Sequence, residues 1–271
     1  MRIIVINLAR AIERRTTMQQ RFAALGLAFE FLEATDGRAL TAKEKAMADH
    51  DRRRRHIRRP LIDNEIACFI SHRRAMAALV ASGEPMAAML EDDITLSPEL
   101  PRVLNAIATQ KGRFDIVDLF RAEKPSEFFV FCRPLLPGLA LGRIGYAHMG
   151  AVGYVISREG ATRFLQQTER FTDEVDRELH RHWINGLDIY GLERPVIFHD
   201  DAGASMINEA RGRAVDYPDV GRWSDRLHRS GYRLYESLIK RITLPAYIRK
   251  GKLAIPETET RRTSWAPIRQ A

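Results

Sequence analysis

The sequence predicts an α/β fold, with a mostly parallel sheet flanked by helices, and three observations carry that expectation. Arg2-Ile3-Ile4-Val5-Ile6-Asn7-Leu8 is rich in β-branched residues, as a strand buried on both faces is. From Ala9 the apolar period lengthens to that of a helix, and Phe29-Glu30-Phe31-Leu32-Glu33-Ala34 returns to a strand, so the first 35 residues read as a βαβ unit. A second helix then feeds the apolar run Met86-Ala87-Ala88-Met89-Leu90, which stops abruptly in Glu91-Asp92-Asp93. Those carboxylates fall at the carboxyl end of a strand, where open α/β sheets bind ligands.

Each element has its own signal. In the first helix Ile12, Met18, Phe22 and Leu25 share a face, and Gly26 is a natural stop. Asp36-Gly37 marks the turn after the second strand. Asp51-Arg52-Arg53-Arg54-Arg55-His56-Ile57-Arg58-Arg59-Pro60 reads as a solvated loop, or as an electropositive flap for an acidic ligand. Asn64 is the expected cap of the next helix, Ile66, Phe69, Ile70, Ala77 and Val80 its buried stripe, and Gly83 its end. Leu100, Val103, Leu104 and Ile107 predict a further helix, and residues 114–119 and 128–131 read as strands. Glycines through 137–153 match neither a Walker loop nor G-x-G-x-x-G and suit a flexible or tightly turning active-site loop or an ordinary irregular connection. Val152–Ile156 reads as a strand leading to Ser157, the cap of a helix carrying Ala161, Phe164 and Leu165. Thr172 or Asp173 is expected to cap a helix bearing Val175, Leu179 and Trp183, with His180 and His182 at its surface. Residues 189–198 read as a last strand, ending in His199-Asp200-Asp201.

Composition shifts near residue 213, which divides the chain into a domain over 1–212 and a basic, amphipathic, helical extension over 213–271 with a poorly ordered tail. Tyr217, Trp223, Leu227, Tyr232, Leu234, Leu238, Ile239, Ile242 and Leu244 alternate there with Arg and Lys. Such a segment lies on an anionic membrane face or packs on the domain with its charges outward. The net charge of +8 points to acidic partners. Neither zinc-finger spacing nor an RNP-type motif occurs, so nucleic acid is not an expected partner. Cys68 and Cys132 lie in apolar segments and read as small core residues of a reducing compartment. With no signal-peptide pattern and no apolar run long enough to span a bilayer, the expected location is cytoplasmic, with peripheral contact on the inner membrane.

Three adjacent carboxylates repel one another unless a cation or hydrogen-bond donors offset them. Oxygen ligands with nothing softer beside them in the sequence suit Mn²⁺ or Mg²⁺. Taken alone, the triplet is better explained by capping a helix or lying on a solvated loop, because short acidic triplets are common.

Three ordered segments extend the reading. Val5-Ile6-Asn7-Leu8 with Glu13-Arg14-Arg15 and Ala34-Thr35-Asp36-Gly37 is the first. Glu65-Ile66-Ala67-Cys68-Phe69-Ile70-Ser71-His72 followed by Leu90-Glu91-Asp92-Asp93 is the second. Ala151-Val152-Gly153-Tyr154-Val155-Ile156-Ser157 with Ala161, then Val175-Asp176-Arg177, is the third. Together, over roughly residues 2–205, they resemble glycosyltransferase family 25, the bacterial lipooligosaccharide galactosyltransferase-like proteins. The resemblance implies a GT-A type fold, a UDP-sugar donor, a Mn²⁺ ion, inversion at the anomeric carbon and a hexose, galactose being the usual one. The implied acceptor is a lipid-linked lipopolysaccharide or lipooligosaccharide core. The family's acidic metal motif falls on Glu91-Asp92-Asp93, with Glu91 or Asp92 accompanying Asp93. The family's aspartate after the G-Y-x-I-S strand falls on Asp176, the candidate general base. Glu174 stands where the family pattern has proline, which keeps Asp173 as an alternative. Asn7, Arg10, Arg14, Asp36, Asp92 and His72 are the candidate nucleotide contacts, with His72 otherwise a satisfied, partly buried histidine. His199 or Asp201 is the candidate for completing the metal shell. A metal-dependent nucleotidyltransferase or phosphohydrolase would use the same acids, and a non-catalytic carbohydrate- or membrane-binding protein would keep the fold without turnover.

Overall fold

The computed structural model describes residues 1–56, 59–110, 114–120, 129–144, 150–200 and 223–253. Strands β1 (Arg2–Asn7), β2 (Glu30–Glu33), β3 (Met86–Glu91), β5 (Ile116–Asp118), β6 (Phe129–Leu136), β7 (Leu139–Ile144), β8 (Gly153–Ser157) and β9 (Ile189–Leu192) form one sheet, in the order β2-β1-β3-β8-β5-β9-β7-β6. Pairing is parallel for β1 with β2 and β3 and for β5 with β9, and antiparallel wherever β7 or β8 takes part. All but those two strands therefore run the same way, as the expected fold class requires. Two short strands, β4 (Ile94–Leu96) and β10 (Ile197–His199), pair antiparallel outside the main sheet.

Helices cover both faces. On one side Ile3, Val5, Met86, Ala88 and Leu90 pack with Met18 and Phe22 of α1 (Ile12–Ala24) and with Val103, Leu104 and Ile107 of α5 (Leu100–Ala108). On the other, Ile4, Ile6, Ala87 and Met89 pack with Ile66, Phe69, Met76 and Leu79 of α4 (Asp63–Ser82) and Phe164 of α6 (Arg158–Gln167). Alternate residues of β1 and β3 thus serve opposite cores, which explains runs apolar throughout. Ser157 caps α6 as expected, its hydroxyl accepting from the Gly160 amide, and Gly83 ends α4 in the left-handed conformation that glycine adopts without strain.

Several local expectations need correction. The basic run folds as α3 (His50–His56), not as a loop, because Arg53 is drawn inside by acids more than a hundred residues away; residues 57 and 58 lie outside the described set. α4 begins one residue before Asn64, and Glu65 closes its first turn by accepting the Ile62 amide. Neither Thr172 nor Asp173 caps a helix. Glu178 instead accepts both of their amides, and the expected helix is split into α7 (Val175–Leu179) and α8 (His182–Asn185). His180 and His182 are buried. Part of the glycine-rich stretch is β7, and the expected 189–198 strand breaks at Glu193-Arg194-Pro195 into β9 and β10. The chain also forms a short helix α2 (Ala42–Lys45) and a long helix α9 (Trp223–Leu253). Among the described residues no helix is long and apolar enough to cross a membrane. The proposed boundary at 212/213 and the tail after 253 lie outside the described residues.

Candidate active site

The carboxyl ends of β1, β2 and β3, roofed by α4, border a small cleft of about 130 Å³, open to solvent. Arg10 and Arg14 line it from the β1–α1 side, Thr35 and Gly37 from the turn after β2, and Cys68, Ser71 and His72 from α4. Glu91, Asp92 and Asp93 line it where β3 ends. Parallel strands bring these segments together, since β1 sits between β2 and β3 in register.

The three acids diverge. Asp92 accepts from Asn7 Nδ2 at 2.7 Å and from Arg14 at 3.0 Å. Asp93 accepts from Arg14 at 3.2 Å through one oxygen, while its other oxygen is buried with no hydrogen-bond partner. Burial first, then the charges of Glu91 and Asp92, raise Asp93 to about 6 against the pull of Arg14 and His199. One arginine does not offset three clustered carboxylates, so the Asp92–Asp93 pair fits a hard divalent cation. Glu91 turns towards α4, where its Oε1 lies 3.6 Å from His72 Nε2 and 4.0 Å from Cys68 Sγ. Asn7 is wholly buried and orients Asp92 from behind. Arg10 pairs with Asp36 at 2.9 Å, and Asp36, held by Arg10 and Arg38, stays well below the usual carboxylate range. Asp36 thus fixes Arg10 at the cleft mouth.

The remaining candidates come from other elements. His199 ends β10, exposed, its ring edge-on to Phe120 at 4.8 Å and its charge felt by Asp93. The Asp200 amide donates to the Asp93 carbonyl at 2.9 Å, tying that strand to the acidic loop. Asp201 lies outside the described residues. Asp176, in the first turn of α7, accepts from the amides of Gly150 at 3.1 Å and Arg177 at 2.8 Å. Burial and the Glu174 charge raise its proton affinity, and its charge reaches the Cys68 thiol together with those of Glu91 and Asp93. Asp173 is placed differently. It is fully buried, paired with Arg53 at 2.8 Å and with Arg181, so it braces the fold and does not face the cleft.

Residues that the sequence reading did not select support the site. The Thr35 amide donates to Ser71 Oγ at 2.9 Å, fixing the β2 turn to α4. Tyr154 OH lies 2.9 Å from His72 Nδ1, and His180 is held 2.9 Å from Asp118 at the end of β5. Cys68 and His72, one helical turn apart, were the readable part of this signal; what brings Glu91 to them is packing.

Residues 1–135 match the model of glycosyltransferase family 25 (LPS biosynthesis protein). The chain belongs to this family. A glycosyltransferase 25 family member of Anopheles gambiae is 30% identical over 61% of this chain and 28% of its own length. The lacto-N-neotetraose biosynthesis glycosyltransferase LgtE of Neisseria meningitidis is 29% identical over 68% of this chain and 64% of its own. A rat protein named a probable inactive family member is 28% identical over 60% of this chain and 29% of its own. The chain thus spans under a third of the animal family members and about two thirds of the bacterial one. Within family 25 the shared model takes in β1 to β3 and with them the whole cleft described above.

Proposed function

We propose that this family 25 protein is an active transferase that moves a hexose, galactose by family habit, from a UDP-sugar to a lipid-linked lipopolysaccharide or lipooligosaccharide core, with inversion. One observation carries the reading: a cleft at the carboxyl ends of parallel strands is lined by Arg10, by Arg14 and by a carboxylate cluster that Arg14 alone pairs with and leaves under-neutralised. Arginines suit the diphosphate of the donor, and the acids would suit a hard divalent ion. The name of the Neisseria relative supports an oligosaccharide product.

In this reading Asp93 and Asp92, joined by His199 and with Glu91 adjacent, hold Mn²⁺ or Mg²⁺, which when bound supplies Lewis-acid stabilisation of the departing diphosphate. Arg10, fixed by Asp36, and Arg14 orient the diphosphate, while His72 lines the pocket wall. Asp176 takes the proton of the acceptor hydroxyl as its oxygen bonds to the anomeric carbon. The anomeric carbon–oxygen bond to UDP breaks, and its electron pair leaves with the phosphate oxygen. A base of raised proton affinity lies nearer the working pH than an ordinary aspartate. The location proposed is the cytoplasmic face of the inner membrane, with α9 against the lipid.

Calorimetric titration with UDP, with and without Mn²⁺, tests the site. Binding that needs Mn²⁺ and disappears in Asp93→Asn is the expected result. Absence of UDP binding in folded protein under both conditions would overturn the UDP-sugar assignment. Product analysis with a labelled UDP-hexose then separates transfer, giving UDP and a glycoside, from nucleotidyl transfer or phosphate hydrolysis.

A further inference from the structure

The α4 wall of the cleft holds a group of side chains that neither a nucleotide site nor a hard-ion site accounts for. Cys68 and His72 occupy i and i+4 of α4 and both point to Glu91 at the end of β3. One ligand atom from each of Cys68, His72 and Glu91 lies within 4.8 Å of the other two. His72 is 1% exposed, and its Nε2 is buried with no hydrogen-bond partner although Tyr154 fixes the opposite ring nitrogen at 2.9 Å. A ring clamped at Nδ1 with a bare Nε2 aimed at a carboxylate and a sulfur is the arrangement by which a neighbouring group orients a metal-ligating histidine.

We propose that Cys68, His72 and Glu91 form a second metal site for a borderline-soft divalent ion of the zinc class, distinct from the hard-ion position on Asp92 and Asp93. Tetrahedral ligation with ordinary Zn–S, Zn–N and Zn–O bonds places such donors roughly 3.3–3.6 Å apart. The observed 3.6 and 4.0 Å separations from Glu91 need a few tenths of an ångström of closure, and with all three donors within 4.8 Å of one another side-chain adjustment brings them onto one ion. A sulfur–nitrogen–oxygen donor set selects zinc over Mg²⁺ or Mn²⁺. All three residues line the cleft, so the fourth position is supplied from the cleft, by water or by a ligand oxygen, as in open zinc sites. Binding sends the Cys68 thiol proton to solvent, and the ion offsets the burial and neighbouring acids that otherwise keep this thiol protonated.

Ligation is read without turnover, so this site and the transferase reading fail separately. Tag-free full chain, stripped with chelator, is titrated with Co²⁺ as a spectroscopic stand-in for zinc. Expected is one equivalent of Co²⁺ showing thiolate-to-cobalt charge-transfer absorption, lost in Cys68→Ser, retained in Cys132→Ser and Asp93→Asn, and not displaced by excess Mg²⁺. Should Cys68→Ser not fold, Glu91→Gln serves in its place, with at least about tenfold weaker Co²⁺ binding expected from the loss of one ligand. No thiolate band from folded wild-type protein overturns the site. So does a band that survives Cys68→Ser, or, where that variant does not fold, unweakened binding in Glu91→Gln.

Discussion

The Asp176 carboxylate is fixed by the Gly150 and Arg177 amides while burial and Glu174 hold its proton affinity up. It takes no part in the cleft's arginine and acid pairs, so binding and chemistry separate at this residue. Asp176→Asn keeps Mn²⁺-dependent UDP affinity in calorimetry and lowers kcat by about 10²–10⁴-fold, the usual range for a lost general base. A variant with unchanged kcat would remove Asp176 from the chemistry. At this scale the acidic triplet and Arg14 were legible because strand ends present short-range signals. The meeting of Cys68 and His72 with Glu91 was not, because it depends on α4 packing over β3. Asp173 shows the same limit in reverse, since two residues of sequence separate it from Asp176 while packing buries it among arginines.

At the level of elements, α3 and the α7 segment are locked together by charge. Arg53, 1% exposed, reaches Asp173 at 2.8 Å and Glu174 at 2.9 Å, and Arg59 joins Glu65 and Glu174. Asp173→Ala leaves Arg53 and Arg181 without their shared partner and lowers the unfolding free energy by about 3–5 kcal/mol, as broken buried ion pairs do. Urea unfolding measures this, and a loss below about 1 kcal/mol, the surface-pair range, would show that water or side-chain movement compensates. A dense basic run has no local reason to enter a core, so only the remote acids explain α3. By contrast the strand, helix and cap signals of β1, α1, β3 and α6 were readable because each rests on neighbours in sequence. The β2 turn is a second constraint. A Cβ on Gly37 would overlap the Asn64 side-chain oxygen and lie 3.0 Å from the Asn64 backbone, and both residues line the cleft. Gly37→Ala destabilises by about 1–3 kcal/mol through that overlap and weakens UDP binding, whereas a change confined to stability would detach the turn from the ligand site.

Over the whole molecule two buried histidines oppose each other in pH. Burial disfavours charge on His180, but Asp118 and the Asp176 carbonyl outweigh it and lift it from 6.5 to about 9. Its stabilisation is complete below pH 6.5 and is lost as pH rises through 9. Burial, then Arg143 and Lys240, lower His182 from 6.5 to about 4, so its penalty grows as pH falls between those values. From these two groups stability peaks near pH 6.5, and His180→Asn flattens the alkaline limb of melting temperature against pH; an unchanged limb would assign the loss to other groups. The same region seats α9. Tyr247 OH donates to the Ile189 carbonyl at 2.5 Å, its ring stacks on His182, and Lys240 lies over Trp183. The opposite face of α9 leaves Leu227, Leu234, Leu238 and Ile242 exposed at helical spacing, beside Arg241. Packing on the domain and an exposed apolar stripe are thus compatible, because they use different faces of one helix. If that stripe meets lipid, the full chain sediments with anionic vesicles and not with neutral ones. Binding then falls as salt screens the basic flank, and Leu238→Asp with Ile242→Asp abolishes it while Tyr247 keeps the helix docked. Equal binding to neutral vesicles, or binding unmoved by the double substitution, would take the membrane contact away from α9.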